Sequence, residues 1–176
     1  MHWRAFPLHP DTPEEGRLLR ELFSNVGAAD IEKMLGHLRE TAADLGLLFK
    51  ERDKTYNSRL AQELGLWAAS KNKGDPFDGA VFRAYFGDGK NIAKIPVLID
   101  LAEAVGLPRE EALQVVEKRR FESAVDADWA RSQEHGITAV PTLMLEGSKL
   151  VGAQPYDGLT QFLETRGIRK RQAPQV

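Results

Sequence analysis

Strand-like patterning sits at the two ends of this chain, and the long stretch between them reads as helix. At the front, Trp3, Ala5 and Phe6 suggest a short strand, which Pro7 and Pro10 end because neither can donate to a ladder. At the back, Thr142-Leu-Met-Leu-Glu146 and Lys149-Leu-Val151 flank Gly147-Ser148, read as a two-residue hairpin loop of the Gly-X kind. Segments so far apart must still find one sheet. The economical solution is a small α/β sheet interrupted by an all-helical insertion spanning 28–118.

The insertion is written in apolar spacing. Leu18, Leu19, Leu22 and Phe23 give a first helical stripe, and from Asp30, a candidate N-cap, Ile31, Leu35, Leu38, Ala42 and Leu45 form one face. A helix from about Ser58 to Lys73 carries Leu60, Leu64, Trp67 and Ala68 inward, with Gly74 past its end. Asp75-Pro76 has the form of a helix start, and Val81, Phe82, Tyr85 and Phe86 supply that helix's buried side. Ile95, Leu98, Ile99, Ala102 and Val105 make the next helix; Ala112, Leu113 and Val116 make another. Phe121, Val125 and Trp129 carry a last long helix to Gly136. Pro155 opens a terminal helix with Leu159, Phe162 and Leu163 on its apolar face, and the basic tail from Arg166 reads as solvated.

Composition excludes several classes of function. Lys plus Arg number 24 against 26 Asp plus Glu, which gives neither nucleic acid nor an acidic membrane surface a reason to bind. No apolar run approaches the ~20 residues of a membrane span, and no secretory apolar core follows Met1, so the expected location is the cytoplasm. Cysteine is absent, which removes disulfides, Cys-based zinc sites and a thiol nucleophile from these residues. No cofactor or metal is expected: His2, His9, His37 and His135 are scattered, none at a metal-ligand spacing. Asp126, Asp128 and Glu134 read as a solvated helix face rather than acid–base carboxylates. Gly87-Asp-Gly-Lys90 lacks the preceding strand and the full spacing of a phosphate loop.

The sharpest local feature is Gly136-Ile-Thr-Ala-Val-Pro-Thr-Leu-Met-Leu145. A proline just before an apolar strand forces a turn, and a turn of that kind leaves the Val140 backbone free of the sheet to pair with an extended ligand. A trans proline at a loop end satisfies the same pattern; a cis bond is the alternative.

That segment, followed by a hairpin and Gly152-Ala-Gln-Pro155, resembles the DsbA family of thioredoxin-fold oxidoreductases, in its FrnE-like branch. Trp3-Arg-Ala-Phe-Pro-Leu-His-Pro10 with Glu15-Gly16 is similar to that branch's second strand and following loop. Tyr56-Asn-Ser-Arg-Leu-Ala61 is similar to a helix start in its insertion, and Phe82-Arg-Ala-Tyr-Phe-Gly87 with Asn91-Ile92 to a helix and turn. The resemblance implies a thioredoxin-like sheet built from 1–27 and 119–165, a helical insertion over 28–118, and a basic flexible tail over 166–176. It also implies a cis Val140–Pro141 bond and a substrate site at Ala139, Val140, Pro141 and Thr142, with Asn57 facing the groove. A polar helix-start residue is the other reading of Asn57.

The family's chemistry is thiol–disulfide exchange on extended polypeptide or protein thiol/disulfide partners, by a Cys-x-x-Cys pair at a helix N-terminus. In these relatives the pair precedes the strand that Trp3-Arg4-Ala5 resembles, so the chain is expected to be an N-terminally truncated member, with no catalytic cysteine and redox-inactive as given. The strand edges so exposed should rearrange the sheet or pair with a second copy as a homodimer. Two alternatives belong to other classes. One is a cysteine-free module binding peptides or partners; the other is an enzyme like the kappa-class glutathione transferases and 2-hydroxychromene-2-carboxylate isomerases.

Overall fold

The computed structural model describes residues 2–169. Strand β1 (Arg17–Leu18) runs into a single helical turn, α1 (Leu19–Leu22), followed by α2 (Ala28–Asp44). A short β2 (Lys54–Thr55) pairs antiparallel with β1. Helices α3 (Arg59–Ser70), α4 (Gly74–Phe82), α5 (Ile95–Ala104), α6 (Arg109–Glu117) and α7 (Glu122–Glu134) follow. The chain closes with the antiparallel hairpin β3 (Thr142–Leu145) and β4 (Ser148–Val151), then α8 (Tyr156–Glu164). Among the described residues no helix is long and apolar enough to cross a membrane.

The core belongs to the inserted helices. Leu64, Trp67, Phe77, Leu98, Ile99, Ala102, Ala112, Val115 and Val116 form one buried cluster. Burying side chains of this size stabilises by ~1.5–3 kcal/mol each, before the entropy of ordering them is charged. The expected stripes of α3 and α5 are the buried ones. In α6 the inward residues are Ala112, Val115 and Val116, while Leu113 points out. Phe82 also turns outward: it ends the regular part of the helix five residues past the buried Phe77, most of the way round to the opposite face, before the π-helical turn at Arg83–Gly87.

Three expectations are corrected. Trp3–Phe6 is not a strand, since no strand lies beside it among the described residues, and the sheet divides into two separate two-stranded ladders. The segment is held by side chains instead: Asp128 accepts hydrogen bonds from the Ala5 N–H (3.1 Å) and Arg4 (3.0 Å), and Gln62 donates to the Phe6 carbonyl (3.1 Å). The hairpin turn is Glu146-Gly147, one residue earlier than read. Both residues have positive φ (48° and 79°), as a type I′ turn requires, and Leu145 closes the loop against Ser148. The basic end is not wholly a loose tail. Arg166 donates to the Phe162 carbonyl and stacks on its ring (3.9 Å), and the Ile168 N–H caps Leu163, so 166–168 finish α8. Residues 170–176 of the expected tail lie outside the described residues.

Helix α2 shows how far the exposed region extends. Of its expected face, Ala42 is buried, Ile31 and Leu35 are half-buried, and Leu38 and Leu45 are exposed. An amphipathic helix with its stripe in water is under-packed.

Candidate functional site

The Val140–Pro141 peptide bond is cis. Val140 is exposed, and the Thr142 hydroxyl donates to the Ala139 carbonyl (2.6 Å), pinning the loop against the start of β3. The hairpin register determines which backbone groups face outward. Leu145 pairs with Ser148 across the tight turn, Leu143 with Leu150, and at the far end the Gly152 N–H donates to the Pro141 carbonyl (2.8 Å). In an antiparallel ladder hydrogen-bonded pairs alternate with non-bonded ones. Residues 141, 143 and 145 therefore spend their polar groups on β4, and Thr142 and Met144 turn their N–H and C=O groups to the free edge of β3. No described backbone group fills that edge.

A cleft of about 380 Å³ lies nearby, walled by Phe6, Pro7, Trp129, Ala130 and Ile137, with Asp126, Ser132 and Gln133 as its polar lining. Ile137 joins it to the loop that carries Ala139 and Val140. The opposite wall is set by the side chains that hold the front segment. Trp129 donates from its indole to Gln62 (2.8 Å) and carries the Arg59 guanidinium on its face (4.4 Å).

Beneath that wall is an ion cluster that sequence spacing does not reveal. Glu63, fully buried on α3, accepts Arg59 (2.8 Å) and both Nε (2.8 Å) and Nη2 (2.6 Å) of Arg119. Arg59 also reaches Asp126 (2.7 Å) and the Glu122 carbonyl (3.0 Å). Burial pushes the Glu63 carboxyl up, and the bonds and charges of Arg119 and Arg59 outweigh it, so its pKa lies below the usual carboxylate range. The cluster is structural: it joins α3 to the start of α7. Its only sequence signal is the i,i+4 spacing of Arg59 and Glu63, since Arg119 comes from far along the chain.

Asn57 is committed elsewhere. Its Nδ2 donates to the carbonyls of Pro10 (3.1 Å) and Thr12 (2.7 Å), and its Oδ1 accepts the Arg59 N–H (2.8 Å). It opens α3 and ties down the loop after the front segment. These bonds hold it to Pro10, Thr12 and Arg59 rather than to Ala139–Thr142. Asn91 does the same for that loop's far end, through the Glu14 carbonyl (2.9 Å). Gly16 completes the fit at φ 84°, where a Cβ would stand 2.7 Å from the Tyr56 ring. Asp128 is also corrected. It is buried, not solvated, because it lies three residues from Val125 on the packed side of α7.

The sequence signature of the DSBA-like thioredoxin domain matches residues 1–164. The chain belongs to that family. Solved structures agree on the DsbA-type fold. A probable DsbA oxidoreductase from Streptomyces coelicolor superposes with a TM-score of 0.84 at 23% identity, covering 97% of this chain and 76% of that one. A putative protein disulfide isomerase from Nitrosomonas europaea gives 0.64 at 20% identity, over 80% and 74% of the two chains. A 2-hydroxychromene-2-carboxylate isomerase gives 0.62 at 19%, over 84% and 74%. By sequence, the uncharacterised protein YwbO of Bacillus subtilis (strain 168) is 33% identical over 99 residues, 56% of this chain and 50% of that protein. The matched stretch thus spans about half the length of that curated relative. The DsbA-like chain described here carries the Val140–Pro141 loop and the β3 edge, while its sequence contains no cysteine.

Proposed function

We propose that this DsbA-like chain, of the FrnE-like branch and working in the cytoplasm, is the polypeptide-binding portion of a thiol–disulfide exchange system. The observation that carries the reading is the β3 edge that no described backbone group fills, where Thr142 and Met144 turn their N–H and C=O groups outward beside the exposed Val140. An extended polypeptide adds to such an edge by main-chain hydrogen bonds and takes its specificity from flanking side-chain pockets. The cleft at Ile137 supplies such a pocket.

Exchange itself needs a thiolate sulfur to attack one sulfur of a disulfide while the other leaves as thiolate. These 176 residues contain no cysteine, so that sulfur has to come from outside them. Alone, the chain is expected to bind substrate and not turn it over.

The test is binding of a reduced, alkylated unfolded polypeptide, followed by calorimetry, beside an insulin-reduction assay. Met144→Pro removes an edge N–H and places a ring there without touching the bonds to β4. Binding by the native chain, loss in Met144→Pro and no insulin reduction are the expected results. Equal binding by both chains would refute the edge. A second reading, an isomerase, draws on the fold shared with the 2-hydroxychromene-2-carboxylate isomerase. Glutathione calorimetry separates the two, and no heat of binding is expected.

A further inference from the structure

We draw no further inference here: the strongest candidate, the exposed apolar surface patch of Leu45, Leu47 and Leu48, where the chain leaves α2 and runs past Gly87 and the outward Phe82, carries nothing because nothing in the structure shows what covers it.

Discussion

The block α3–α7 and the hairpin β3–β4 are built from similar side chains and end in different states. In the block, Leu64 and Leu98 are wholly buried and every helix has neighbours to pack on. In the hairpin, Leu143, Leu145 and Leu150 are half-buried, and Met144 and Val151 are exposed. The difference is one of partners. A helix satisfies its backbone internally and needs company only for its apolar face, whereas a strand also needs neighbours for its N–H and C=O groups. The block is complete within this chain. Among the described residues the hairpin has no neighbour on the β3 side, and polypeptide binding is proposed there.

The sharpest way to break the contrast is to apply one substitution in both regions. Leu98→Ala should cost ~2–5 kcal/mol, the range for a buried leucine, and Leu143→Ala about 1 kcal/mol or less because its site is already half in water. Urea unfolding measures both. Equal costs would mean that the hairpin is packed as tightly as the block.

Glu63→Ala strands two guanidiniums at a buried site. The expected cost is about 2–4 kcal/mol, below the ~3–5 kcal/mol of a fully buried pair because Arg119 is partly in water. The pH dependence has a definite sign. The carboxyl's folded pKa lies below its unfolded value, so its contribution is complete above the unfolded pKa of ~4.3 and is lost as pH falls through the folded one. The native chain should lose stability on acidification below that point, and Glu63→Ala should lose correspondingly less.

A smaller effect is expected at the seam between the regions. Asp128→Ala removes the acceptor of Ala5 and Arg4 and should cost about 1–3 kcal/mol, with faster amide exchange at Ala5. Met144→Pro should leave thermal stability nearly unchanged yet weaken polypeptide binding by about tenfold. Glu146→Asn, which suits the positive φ of the type I′ turn better, should stabilise the hairpin by a few tenths of a kcal/mol. No gain in melting temperature there would count against the turn assignment.

The same division explains what the residues disclose before folding is considered. Helices α3, α5 and α7 are legible because their apolar spacing is local, and so is the Val-Pro turn ahead of an apolar run. Features that depend on a distant partner are not legible. Trp3–Phe6 has the composition of a strand, yet a strand exists only if another lies beside it, and here Asp128 and Gln62 take that role. Glu63 looks like any helix carboxylate until Arg119 arrives from the far end of α6. Asn57 could be assigned to the groove or to the helix start; its bonds to Pro10, Thr12 and Arg59 place it at the latter. At the candidate site, Ala139–Thr142 could be named from the sequence. The free groups of Thr142 and Met144 could not, because they follow from a register that the Glu146-Gly147 turn sets.

The most direct test is amide exchange at Thr142 and Met144, followed residue by residue at a dilution where the chain is monomeric, with and without unfolded polypeptide. Fast exchange at both sites alone, and marked slowing at both when polypeptide is bound, with Leu143 and Leu145 little changed, is the predicted result. Saturated polypeptide with exchange at Thr142 and Met144 still fast would place binding elsewhere and contradict the central claim.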